Sequence, residues 1–142
     1  MKKFNEIFSP EELVSKLIYD SYKNKEDIYS LFDEDLKRVI EVIKQEIDRP
    51  FICNNWHKQG QFQQRGYRGI DCSIGASKSA HKEGKAIDFD IIGFTSEQSR
   101  LLIVQKCIKL LPHPIRIEKS VKWIHVDVRN FDGSHKIQFF QP

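Results

Sequence analysis

The run Ser79-Ala80-His81-Lys82-Glu83-Gly84-Lys85-Ala86-Ile87-Asp88, continued by Phe89-Asp90-Ile91, decides the fold of this chain. From Ala86 onward the hydrophobicity has a period of two: Ile87, Phe89 and Ile91 point one way, and Ala86, Asp88 and Asp90 the other. That alternation predicts a strand with one apolar face and one acidic face. The split recurs where Ile124, Val126 and Val128 oppose Trp123, His125 and Asp127, and where Ile115 and Ile117 oppose Arg116 and Glu118. Three strands therefore each offer a core face and a polar face. Phe51-Ile52-Cys53-Asn54-Asn55 and Ile137-Gln138-Phe139-Phe140 read as two further strands.

Helical spacing governs the segments around them. Ser9 as N-cap, Pro10 at the first helical position and Glu11-Glu12 in the first turn predict a helix with Leu13, Leu17 and Ile18 on one side, ending near Lys23-Asn24-Lys25. Leu36, Val39, Ile40, Ile43 and Ile47 recur at helical spacing from Asp33 to about Asp48, where Arg49-Pro50 stops the helix. A third helix starts from Thr95 or Ser96 and runs through Leu101, Leu102, Val104, Cys107 and Ile108 to the Pro112-His113-Pro114 break, its apolar side facing the core. Helices first and strands later, with short connections, predict an α+β fold in which helices cover one face of a largely antiparallel sheet. Without a linker in its 142 residues, the chain reads as one domain, 1–142, with N-terminal helices in 1–50 and the remaining core in 51–142.

Hydrophobic residues at 39%, charged residues at 30% and a net charge of +3 describe an ordinary soluble domain and give no argument for a nucleic-acid partner. We expect a monomer that does not insert into membranes. Met1-Lys2-Lys3 leads into Phe4-Asn5-Glu6-Ile7-Phe8 and then Glu11-Glu12 without the apolar stretch of a secretory signal, which predicts a chain cytoplasmic as synthesised. Cys53, Cys72 and Cys107 are odd in number and form no Cys-x-x-Cys pair, so free thiols are expected rather than a disulfide frame or a cysteine metal site. From Asn54 to Lys78 runs a long irregular stretch containing Gly60, Gly66, Gly69 and Gly75, and Trp56, Phe62, Arg65, Tyr67 and Arg68 within it favour a functional loop.

The polar faces carry the chemistry. His81, Asp88 and His125 supply two imidazoles and a carboxylate, a three-ligand zinc set that leaves a coordination position open for water. If the Asp88 and His125 strands are neighbours, alternation turns both side chains to the same side of the sheet, and His81 enters from the preceding loop, with Gly84 making the turn. Hydrolysis also needs a group to take a proton from that water and pass it to the leaving amine. Glu118 is the first choice. A hairpin around Lys119-Ser120, with Glu118 facing Val121, sets Glu118, Trp123 and His125 on one face. Asp127 and Asp90 share the open faces, as an alternative base or as acceptors for a ligand histidine's other N–H. Arg68 or Arg65 suits a substrate carboxylate, because the guanidinium fork matches its geometry. His57, His113 and His135 belong to no motif and read as surface or loop residues.

Ser79-x-His81-x-x-Gly84-x-Ala86-x-Asp88 followed by Trp123-x-His125-x-Asp127 resembles the M15 family of zinc peptidases, the D-alanyl-D-alanine carboxypeptidases and related peptidoglycan endopeptidases. Asn54-Asn55-Trp56, Arg65-Gly66-Tyr67-Arg68 and Arg116-Ile117-Glu118 look most like the small members encoded by phages and prophages. The resemblance covers roughly Asn54 to Asn130. It implies a fold like the Hedgehog signalling domain, with Zn2+ on the open face of the sheet, and hydrolysis of peptide bonds at D-alanine in cell-wall stem peptides. It also implies action at the wall after phage delivery or lysis. Under it, His81, Asp88 and His125 are the metal ligands and Arg68 binds the substrate carboxylate; Arg65, Ser79 and Trp123 are read beside it as candidate substrate contacts. Many members place the catalytic acid three residues before the last histidine, where this chain has Lys122; Glu118, seven residues before His125, resembles instead the upstream glutamate of Hedgehog-like members, whose spacing differs by one. Lys122 leaves a second reading open, a zinc-containing wall-binding module of a virion or prophage.

Overall fold

The computed structural model describes residues 1–69, 72, 79–129 and 133–141. Its sheet contains β1 (Phe51–Ile52), β2 (Ala86–Ile91), β3 (Ile115–Glu118), β4 (Ile124–Asp127) and β5 (Ile137–Phe140), in the spatial order β1-β2-β4-β3-β5. The sheet is mixed: β3 and β5 run parallel, and the other three pairings are antiparallel. Alternation sorts its faces as the sequence predicts. Ile87, Phe89, Ile91, Ile115, Ile117, Ile124 and Val126 are all buried, while Asp88, Asp90, Arg116, Glu118, His125 and Asp127 occupy the other side.

Among the described residues, five α-helices accompany the sheet: α1 (Phe4–Ile7), α2 (Pro10–Leu13), α3 (Lys16–Ser21), α4 (Glu34–Glu46) and α5 (Ser96–Cys107). Asp33 caps α4 by accepting from the Asp35 and Leu36 amides. Thr95 and Gln98 form a reciprocal capping box at α5. α5 lies against β2 and β4, and α4 against α5 and α1. One cluster of buried apolar side chains joins Phe4 and Phe8 at the N-terminus to Val126 of β4 and Val128 just after it, so the N-terminal helices share the sheet's core.

Several expectations are corrected. The helix begun at Ser9 is not continuous: Val14 is extended and Ser15 caps a new start, its hydroxyl accepting from the Ile18 amide. The carbonyls at the break serve other partners. Leu13 O accepts from the Tyr67 amide at 2.8 Å, and Val14 O accepts from Trp56 Nε1 at 2.8 Å and Asn54 Nδ2 at 3.2 Å. In consequence Leu17 is exposed rather than in the core. Along α5 the buried stripe is Ser99, Ile103 and Cys107, and Leu101 faces out. The first strand stops at Ile52 because the Asn54 amide turns away to bond Glu12 O.

The β3–β4 register also differs. Arg116 pairs with Asp127 and Ile117 with Val126, so the connection is longer than a turn at Lys119-Ser120 allows. Continuing this register sets Glu118 opposite His125 rather than facing Val121. The displacement is an even number of residues, so Glu118 keeps its face.

Candidate metal centre

β2 and β4 pair with Asp88 directly opposite His125, which brings the two side chains together on the polar face. His81 arrives from the 3-10 turn Ala80–Glu83, whose N-cap is Ser79; the Ser79 hydroxyl accepts from the His81 amide at 3.3 Å. Gly84 ends that turn at φ +70, and a Cβ there would meet the Leu31 carbonyl oxygen at 1.9 Å, so only glycine lets the chain reverse into β2. Among the described residues, His81, Asp88 and His125 are the one group of three or more ligating side chains close enough to share a metal ion, with one donor from each within 4.8 Å of the others. All three are buried.

Each histidine has one nitrogen turned into the cluster and the other held from behind. His81 Nδ1 donates to the Gly66 carbonyl at 2.8 Å, which leaves Nε2 facing Asp88 Oδ1 at 3.2 Å. His125 points Nδ1 at the same Asp88 oxygen, 2.8 Å away, and Nε2 at Asp127 Oδ2, also 2.8 Å. Asp127 is gripped in turn by Arg116, whose Nε and Nη2 donate to its two oxygens at 2.8 and 2.9 Å. Histidine ligands backed by a carbonyl and by a carboxylate are the arrangement that orients imidazole toward a metal.

Electrostatics follow from this crowding. Burial opposes a charge on Asp88, but hydrogen bonds from His125 and His81 outweigh it and hold the carboxyl well below the usual range. Burial likewise opposes ionised Asp127, and bonds from His125 and Arg116 prevail, lowering it. For His125, burial works against the charged form, yet Asp127 and Asp88 together raise it to about 9. The two carboxylates flanking the His125 ring thus favour its protonated form.

The remaining sequence candidates have distinct placements. Glu118 Oε2 lies 3.8 Å from His125 Nδ1, on the cluster side of that ring, whereas Asp127 lies behind it. Arg68 donates from Nε to Gln64 O at 2.8 Å and holds Nη2 3.7 Å from Asp88 Oδ2. Arg65 is engaged by Asp90 at 2.8 Å and rests on the Phe62 ring, so its charge is largely balanced. Asp90 thus serves Arg65 and no histidine. A cleft of about 290 Å3, lined among others by Phe62, Gln64, Arg65, Arg68 and Trp123, opens at Asp88. His57, His113 and His135 stay outside the cluster, and Lys122 is exposed. The part of the irregular loop at 70, 71 and 73–78, with Gly75, lies outside the described residues.

Two contributors have no signature in the sequence. The Gly66 carbonyl is a backbone group, and Arg116 reads as an ordinary polar-face cation until the β3–β4 register pairs it with Asp127.

Fold and site together define an α+β domain with a buried two-histidine, one-aspartate cluster suited to a metal ion. Comparison of the chain with protein-family models, curated proteins and solved structures returned no match in any of the three. No helix among the described residues is long and apolar enough to cross a membrane.

Proposed function

We propose that this chain is a zinc-dependent peptidase of the Hedgehog/DD-peptidase type, hydrolysing peptide bonds at D-alanine in peptidoglycan stem peptides or cross-links. The observation that carries the reading is the convergence of His81 Nε2, Asp88 Oδ1 and His125 Nδ1, with Glu118 on the same side of His125. Zinc bonds of about 2.0–2.2 Å set tetrahedral donors roughly 3.3 Å apart, close to the 2.8 and 3.2 Å separations here. Both histidines also present a lone pair inward once Gly66 O and Asp127 hold their other N–H groups.

Bound zinc supplies Lewis acidity at the scissile carbonyl and lowers the pKa of a water toward neutrality. The protein's own groups do the rest. Glu118 accepts a proton from the attacking water and returns it to the departing amine, so the base is regenerated in each turnover. Arg68, which lines the cleft with its Nη2 3.7 Å from Asp88 Oδ2, engages the substrate carboxylate. Trp123 and Gln64 line the same cleft and offer it an indole and an amide side chain beside Arg68. The site acts at the cell wall, reached by phage delivery or by release on lysis.

The test is incubation of zinc-loaded protein with peptidoglycan fragments of several stem-peptide types, followed by mass spectrometry. Release of D-alanine or splitting of cross-links is expected, and a chelator should stop it. Tight wall binding without any product, metal content confirmed, would replace the peptidase with a wall-binding module.

A further inference from the structure

We infer that Arg116 is a positioning residue for the metal centre: it fixes Asp127, and through Asp127 the orientation and tautomer of His125. This rests on reading the cluster as a metal site. The geometry is a chain of defined bonds. Asp127 Oδ1 accepts from Arg116 Nε at 2.8 Å and from the Arg129 amide at 3.3 Å, while Oδ2 accepts from Arg116 Nη2 at 2.9 Å and from His125 Nε2 at 2.8 Å. Both oxygens are thereby committed, and the Asp127 side chain has no exposed surface on which to rotate into solvent. A bidentate guanidinium fixes the plane of a carboxylate as a single ammonium does not.

The consequence reaches His125. An ionised carboxylate only accepts, so Oδ2 requires the proton on Nε2 and leaves Nδ1 free to ligate. Arg116 also balances the negative charge that Asp127 adds to the buried site, which already holds Asp88. Phe140 of β5 keeps the assembly in line. Its ring lies 4.3 Å from the Arg116 guanidinium and meets the His125 ring edge-on at 5.5 Å. The parallel strand β5 thus forms one wall of the relay.

The experiment measures Zn2+ affinity by competition with a chromophoric chelator for wild type, Arg116→Met, Asp127→Asn and the double variant, with circular dichroism to confirm folding. Each single change should weaken zinc about 10–100-fold. The double change should cost little more than either alone, because both act through one relay. Arg116→Lys, the safer variant if Arg116→Met does not fold, should fall between wild type and Arg116→Met, or at least lose affinity measurably. Unchanged affinity in a folded Arg116 variant, or losses that multiply in the double, overturns the relay while leaving the metal site standing. Failure of the wild type to bind zinc overturns the metal site itself, and the relay with it.

Discussion

Gly66 is held where a larger residue does not fit: a Cβ on it would sit 2.1 Å from the Leu13 carbonyl oxygen, and its own carbonyl holds His81 Nδ1. Gly66→Ala should therefore destabilise the fold by about 1–3 kcal/mol in chemical denaturation. The displaced carbonyl should weaken metal binding at the same time; an alanine variant with both properties intact would show that the loop has slack. Glu118→Gln keeps the shape of the side chain and removes its basicity. Turnover of wall fragments should drop by about 10²–10⁴-fold with zinc affinity nearly unchanged, and activity surviving the change would move the proton-transfer role elsewhere. At this scale the sequence is informative where side chains build the cluster. His81, Asp88, Glu118 and His125 follow from alternation and spacing, whereas Gly66 contributes a carbonyl, which no residue type announces. Arg116 becomes legible only once its cross-strand partner is known.

The elements show why the N-terminal helices belong to the site. The carbonyls freed where α2 gives way to α3 anchor Asn54, Trp56 and Tyr67, and Asn54 Oδ1 accepts from the Arg65 amide at 2.9 Å. Arg65 O then accepts from the Asp88 amide at 2.7 Å, which ties the arginine loop to β2. Asn54→Ala should cost about 1–3 kcal/mol, the penalty for unpairing buried backbone groups. Hydrogen exchange should localise the loosening to the loop around Arg65–Arg68, and protection equal to wild type there would contradict this chain of contacts. The break itself was not legible in Ser9-Pro10-Glu11-Glu12-Leu13, because helical signals are local and the groups that claim the Leu13 and Val14 carbonyls lie some forty residues away or more. For α5, apolar spacing misled: Leu101 fits a helical pattern but faces out, while the small Ser99 sits at close packing against the core. The β3–β4 pairing kept the predicted face and lost the predicted turn, since parity survives any even shift of register.

For the molecule as a whole, the cluster couples charge to folding. In the metal-free protein His125 is raised from an ordinary value near 6.5 to about 9. The stabilisation it contributes is full below about pH 6.5 and is lost as pH rises through about 9. Asp88 and Asp127 are lowered, so their contribution is present above about pH 4 and disappears on further acidification. The thermal midpoint of the metal-free protein should therefore fall between pH 7 and pH 10 and again below pH 4. A midpoint that climbs from pH 7 to pH 10 would contradict the charge arrangement around His125. Excess zinc should raise the midpoint at neutral pH, by an amount equivalent to about 2.7 kcal/mol at a hundred times the dissociation constant.

Native mass spectrometry of the chain after equilibration with zinc tests the central claim most directly. One zinc ion per chain is expected, retained by Glu118→Gln and lost from both Asp88→Ala and His125→Ala with their folds intact. A wild-type chain that takes up no zinc, or variants that keep it without Asp88 or His125, would contradict the metal centre.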